Sequence, residues 1–205
     1  MNTLVTGLQP TGLGELHIGN YLGVIHGLPA LIESHERAFV FAADIHATTL
    51  NYNPKTLRQA SLSLIKALYA SGVPERSLFI QSSVPEHFEI GMIIQHLTTV
   101  GQLENMTQYK QKAKQNEERN NDNQTPNPTG LLTYPAVMAG DILLYRANMV
   151  PAGDDQTQHV QYVRDIVDTF KKNFKSNFLI KPDIAKLHAT RVMQLNDPKK
   201  KMSKS

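Results

Sequence analysis

The stretch Ala38-Phe-Val-Phe-Ala-Ala-Asp44 is apolar at every position before its closing aspartate. A strand with one wet face alternates apolar and polar side chains, whereas one covered on both faces reads as an unbroken apolar run. This run therefore predicts a strand inside a sheet with a layer on each side. Working outward, Leu4 to Thr6 reads as a second strand and Ser77 to Ser82, "SLFIQS", as a third. Helical patterns separate them, at Ile18 to Leu31 and after Asn53-Pro54, an N-cap followed by proline at the first helical position. The helix that Asn53 opens carries Leu57, Ala60, Leu64, Ile65 and Leu68 at helical spacing, and Gly72 stops it. Glu86 to Thr99 and His159 to Phe174 read as further helices, and Ala147 to Gly153, "ANMVPAG", is short and apolar.

Strand and helix in alternation define an α/β fold, a Rossmann-like doubly wound parallel sheet with helices on both faces. The chain of 205 residues is long enough for one large domain with a substantial core. Its 21 basic and 18 acidic residues leave a net charge of +3, too weak a bulk field to imply nucleic-acid binding by itself. The absence of cysteine excludes disulfides and thiolate metal sites. "MNTLVTGLQP" has no basic n-region, and no run approaches the roughly eighteen apolar residues of a membrane span. The expectation is a soluble, cytoplasmic protein with no membrane partner. One segment departs from the pattern: Gln115 to Thr129, "QNEERNNDNQTPNPT", has no aliphatic or aromatic residue and is expected to be a flexible surface insertion.

In doubly wound sheets ligands bind where strand ends meet helix starts, and a helix N-terminus offers free N–H groups to a phosphate. "GLQPTGLGELHIGN", Gly7 to Asn20, is a glycine-rich turn leading into such a start. His17 and Asn20 are three apart and share a face of the first turn; Gly19 between them has no Cβ to hold off a base or ribose. The tail "KMSKS" places Lys201 and Lys204 three apart, flanked by hydroxyls, a pair suited to charge building on β,γ-phosphates. Each feature has a plainer explanation, a loop histidine and a solvated basic end, so their coincidence carries the weight.

Five blocks in order, "GLQPTG" (Gly7 to Gly12), "HIGN" (His17 to Asn20), "GLLTYPAVMAGDILLY" (Gly130 to Tyr145), "VPAGDDQTQHVQYVRDI" (Val150 to Ile166) and "KMSKS", resemble the class I aminoacyl-tRNA synthetases. The first signature is usually written HIGH, and Asn20 in its last position resembles the tryptophanyl branch. The resemblance covers nearly the whole chain except the asparagine-rich stretch. It implies ATP-dependent activation of L-tryptophan, transfer to tRNA(Trp), Mg²⁺ carried on the phosphates, and a homodimer. It also implies that residues 1–205 form the catalytic domain, cut at its catalytic loop, with the helical anticodon-binding domain absent and activity impaired.

Residue by residue, the resemblance implies that Gln9, Pro10, Thr11, Gly19 and Asn20 face ATP with His17. Lys112 looks like a third lysine on the phosphates beside Lys201 and Lys204, whose loop includes Met202, Ser203 and Ser205. Gly153 allows close approach to the ribose, Asp154 and Asp155 accept its hydroxyls, and the Val192 backbone meets adenine. Gln108 and Gln156 hold the amino and carboxylate ends of the amino acid. Tyr134, Met138 and Asp141, at offsets of four and seven, share one helix face. The related tyrosyl branch resembles a glutamine at the middle position; Met138 is instead a soft wall for an aromatic ring. Asp141 would accept the indole N–H, which can only donate. Asp44 and His46 either line this pocket or cap the strand end. The alternatives are a tyrosyl-type enzyme, a smaller nucleotidyltransferase with a HIGH-type site, and a non-catalytic nucleotide- or tRNA-binding fragment.

Overall fold

The computed structural model describes residues 2–10, 12, 16, 18–49, 52–120, 127–153, 156–185 and 193, the side chains of 117, 119 and 120 excepted. Five strands, β1 (Thr3–Leu8), β2 (Arg37–Ala42), β3 (Leu78–Ile80), β4 (Met149–Pro151) and β5 (Asp183–Ala185), form one sheet in the order β3-β2-β1-β4-β5. Every neighbouring pair is parallel, with Leu4 opposite both Ala38 and Met149 and Val40 opposite Leu78. The chain builds one half outward from β1 and then returns to build the other, so the order reverses between β1 and β4.

The unbroken apolarity of β1 and β2 has a direct cause. Leu4, Val40 and Ala42 point into one buried cluster with Ile25, Leu28, Ile32, Leu64 and Leu68. Their sequence neighbours Val5 and Phe41 point into another, with Ala136, Ala139, Leu143, Val160, Val163 and Ile166. Successive side chains of a strand face opposite ways, so a strand between two cores must be apolar throughout.

The first layer is made by α2 (Leu28–Glu33) and α4 (Pro54–Ala70), with α1 (Ile18–Gly23), which buries no residue, leading into it. The Asn53 side chain accepts from the N–H of Lys55 and Thr56 at the start of α4, and Gly72 leaves it with φ +93, as expected. The single helix expected over Ile18 to Leu31 is corrected to α1, a 3₁₀ turn (Ile25–Gly27) and α2. Pro29 explains the break: it has no N–H, and its ring would press on the carbonyl one turn back, so it suits the first turn of a new helix.

The second layer holds α5 (Glu86–His96), α6 (Val100–Glu104), α7 (Thr107–Asn120), α8 (Thr129–Leu144) and α9 (Thr157–Phe174). The helix expected to reach Thr99 stops at His96, because Thr99 instead opens α6 through a capping box with Gln102. Gln115 to Thr129 is likewise not all irregular. Gln, Glu and Arg are good helix formers, and α7 continues to Asn120 with a Lys114–Glu118 pair at 3.9 Å. Asn116 donates across to Asn127 at 3.0 Å.

Helices α5 and α8 cross at glycine. A Cβ on Gly140 would lie 2.9 Å from the Gly91 nitrogen and 3.1 Å from its Cα, so only hydrogen fits between the two backbones.

Candidate active site

The C-terminal ends of β1 and β4 flank the point where strand order reverses, which is where open parallel sheets bind ligands. Gln9 and Pro10 leave β1 there; Gly153 leaves β4, and its carbonyl accepts from the N–H of Gln156 at the mouth of α9. The next strand ends supply polar groups from α3 (Asp44–Ala47), which follows β2, and from Gln81, which follows β3. Gln9 donates to the His46 carbonyl at 3.3 Å, tying the β1 exit to α3.

Asp141 is the centre of the arrangement. It lies on α8, 3% exposed, and accepts four hydrogen bonds. His46 Nε2 reaches Oδ2 at 2.7 Å and His87 Nδ1 reaches Oδ1 at 2.6 Å. Gln81 Nε2 donates to both oxygens, at 2.8 and 2.9 Å. Burial alone would raise the Asp141 pKa, but hydrogen bonds from His46 and His87, with their positive charge when protonated, together outweigh it and hold the carboxyl below its ordinary value. An ionised carboxylate only accepts, so His87 Nδ1 carries the proton that faces it, while Nε2 lies 2.9 Å from the Tyr145 hydroxyl and hydrogen-bonds it. Burial, then the charges of Asp141 and Glu86, push the Tyr145 pKa well above that of a free phenol, so Tyr145 keeps its proton.

Packing holds this network in place. Gly7 lies against Phe41, where a Cβ would come within 2.5 Å of the ring, and the Phe41 ring then sits 5.3 Å from that of His87. Tyr145 stacks on Phe39 with ring centroids 4.1 Å apart. The glycine crossing brings α5 close enough for His87 to meet Asp141. Asp44 acts elsewhere, as a tie between strands. Its carboxylate accepts from the Ser82 N–H at 3.0 Å and from the Ser82 hydroxyl, and so joins the ends of β2 and β3.

Tyr134 stands one wall away, edge-on to His46 with centroids 6.4 Å apart, and its hydroxyl meets His159 Nε2 at 3.0 Å. Lys112 Nζ lies 4.9 Å from the centre of the Tyr134 ring, a cation–π contact, and burial lowers its pKa. Contacts from His46 thus reach Gln9, Asp141 and Tyr134, and Tyr134 in turn meets Lys112. Gln108 lies four residues before Lys112, one turn along α7, whose start is pinned to α9 where the Thr107 N–H donates to Gln158 at 2.9 Å. Met138 shares α8 with Tyr134 and Asp141 and packs, half-buried, against the core. Gly19 and Asn20 are half-buried on α1, where the Asn20 carbonyl accepts from Val24. Thr11, His17, Asp154, Asp155, Val192, Lys201, Met202, Ser203, Lys204 and Ser205 lie outside the described residues. The sequence reading missed Gln81, His87 and Tyr145. The available signal was a lone amide closing an apolar strand and a histidine in the first turn of the next helix.

A doubly wound parallel sheet with a polar, partly desolvated cluster beyond the C-terminal ends of its strands defines an α/β protein with a candidate ligand site at those ends. All 205 residues match the family of tRNA synthetases class I (W and Y), and the chain belongs to that family. It is 43% identical to the tryptophan–tRNA ligase of Mycoplasma pneumoniae across its full length, spanning 59% of that protein. The crystal structure of tryptophanyl-tRNA synthetase from the same organism matches 99% of the chain with a TM-score of 0.86, at 40% identity and 57% of its own length. The Campylobacter jejuni enzyme, complexed with ADP and tryptophan, matches all of the chain with a TM-score of 0.84, at 33% identity and 60% of its length. The chain thus spans somewhat under two thirds of the relatives it matches.

Proposed function

We propose that this chain builds the adenylate-forming site of a tryptophan–tRNA ligase. The observation that carries the reading is Asp141, a buried carboxylate held ionised beside an aromatic wall, in a family whose members divide between tryptophan and tyrosine. An indole N–H needs an acceptor, and a buried acceptor left empty by phenylalanine penalises that analogue. Relatives named for tryptophan, at 33 to 43% identity over the chain, support the same choice.

In this reading the tryptophan carboxylate attacks the ATP α-phosphorus in line. A carboxylate–phosphorus bond forms, the α–β bridging bond breaks, and its electrons leave with pyrophosphate. The nucleophile is already ionised at neutral pH, so no general base is required, and the work is positioning and charge stabilisation. Gln108 and Gln156 hold the ends of the amino acid, with Tyr134 and Met138 against its ring. Gln9, Pro10, Thr11, His17, Gly19 and Asn20 receive the nucleotide, Gly153, Asp154 and Asp155 its ribose, and the Val192 backbone its base. Lys112, Lys201 and Lys204 neutralise the phosphates, within the loop that includes Met202, Ser203 and Ser205. In this reading Mg²⁺ arrives on the phosphates of ATP. A ribose hydroxyl of tRNA(Trp) then attacks the adenylate's carbonyl carbon; an ester bond forms, the bond to the phosphate oxygen breaks, and AMP leaves.

A homodimer fits the same reading. Phe88, Met92 and Ile93 of α5 and Val100 of α6 are each more than half exposed, an apolar strip suited to a self-complementary contact. Among the described residues no helix is long and apolar enough to cross a membrane, and a cytoplasmic setting suits a tRNA-charging activity. The test is ATP–pyrophosphate exchange with tryptophan, tyrosine or phenylalanine. Exchange driven by tryptophan alone is expected; exchange driven equally by tyrosine removes the reading.

A further inference from the structure

A carboxylate offers about four lone-pair positions, and Asp141 has all of them filled by protein donors: Gln81 and His87 on Oδ1, Gln81 and His46 on Oδ2. A substrate N–H arriving at this acceptor finds no vacant position. One resident donor has to leave, and the three donor residues are not equally able to do so. Gln81 and His87 are fully buried, at 0% exposure, with His87 also fixed at its far nitrogen by Tyr145. The His46 side chain is 15% exposed. It rides on the four-residue helix α3, at the strand-end rim, with Tyr134 edge-on beside it.

We propose that His46 is a displaceable plug: its imidazole N–H occupies the Asp141 oxygen that the substrate indole N–H takes over, and it swings toward the pocket mouth when tryptophan binds. This rests on the tryptophan reading of the site. Gln81 and His87 are the fixed donors, which keep the carboxylate aimed throughout the exchange. Because one donor replaces another, Asp141 is never left bare in the closed pocket, and a ring without an N–H cannot complete the swap. The plug thus sharpens rejection of phenylalanine, which would have to break the His46 bond and offer nothing in return.

The sign of one mutation separates a plug from an ordinary contact residue. A side chain that only holds substrate weakens binding when removed, whereas removing a plug tightens it. L-tryptophan is titrated calorimetrically into the 205-residue chain and its H46A and D141N variants. We expect D141N to bind at least about tenfold more weakly and H46A roughly tenfold more tightly, the scale of one charge-assisted hydrogen bond. If D141N is weakened and H46A is weakened or unchanged, the plug is wrong while the tryptophan reading stands. If D141N binds as wild type does, or the wild type binds no tryptophan, the site reading fails and the plug with it. Proton–nitrogen NMR of the wild-type imidazoles decides the matter independently of variant folding. Saturating tryptophan should abolish the carboxylate-bonded Nε2–H signal of His46 and leave the Nδ1–H signal of His87; a His46 signal unchanged at saturation overturns the proposal.

Discussion

Gln81 Nε2 lies 2.8 and 2.9 Å from the two carboxylate oxygens of Asp141, sixty residues away in sequence, so a single amide spans the whole head group. The opposite face of that amide, Oε1, is buried and has no hydrogen-bond partner among the described residues. The hydrogen bonds of the Gln81 side chain among the described residues both go to Asp141.

Gln81→Glu keeps the shape and replaces the donor by an oxygen facing an oxygen. Two carboxyls in one dry site cannot both ionise, so one must take up a proton. We expect a loss of about 2–4 kcal/mol at pH 7, shrinking toward pH 5 as that proton becomes easier to acquire. Urea unfolding at the two pH values measures it; a deficit independent of pH would show that the carboxylates do not meet.

Asp141 itself gives an acid limb to stability. Its native pKa lies below the reference value of 3.8, so the native state binds its proton less readily than the unfolded chain does. The contribution is complete above that reference value and is lost as pH falls through the native one. The stability gap between wild type and D141N should therefore narrow below about pH 4. Denaturation midpoints from pH 2 to 6 that run parallel for the two proteins would contradict this.

Gly140→Ala puts a methyl group 2.9 Å from the Gly91 backbone nitrogen, where no side chain can yield. The helices must separate, at about 1–3 kcal/mol, and His87 must draw away from Asp141. A reduced thermal midpoint together with weaker tryptophan binding is expected. Loss of stability with tryptophan affinity unchanged would uncouple the crossing from the site.

Lys112→Met preserves the packing on Tyr134 and removes the charge. If Lys112 neutralises the phosphates as proposed, its loss should slow pyrophosphate exchange by about a hundredfold, with tryptophan affinity within a factor of about three, and Lys204→Ala should behave alike. Equal losses in exchange and in tryptophan affinity would make either lysine a structural residue.

What could be read from the sequence followed the distance over which each feature is determined. β2 declared itself because both of its faces are buried, and α4 because Asn53, Pro54 and Gly72 mark its ends locally. β5 gave no signal: Asp183, Ile184 and Ala185 form a three-residue edge strand with one exposed and two half-buried side chains. Tyr134 and Asp141 were found through a motif and lie together on α8. Of the partners of Asp141, His46 stood out only as a residue that either lines the pocket or caps a strand end, and Gln81 and His87 gave no motif at all. His46, Gln81 and His87 stand 95, 60 and 54 residues from it, and they meet only because strand order and a helix crossing bring them there.

The bare contact between Gly91 and Gly140 acts as a ruler. Spacing set by interlocked side chains can drift as rotamers exchange, but spacing set by main chain against main chain has no rotamer to change. The gap that His87 bridges is therefore fixed by the covalent frame of two helices, and the tolerance of the whole recognition apparatus is as narrow as a hydrogen atom.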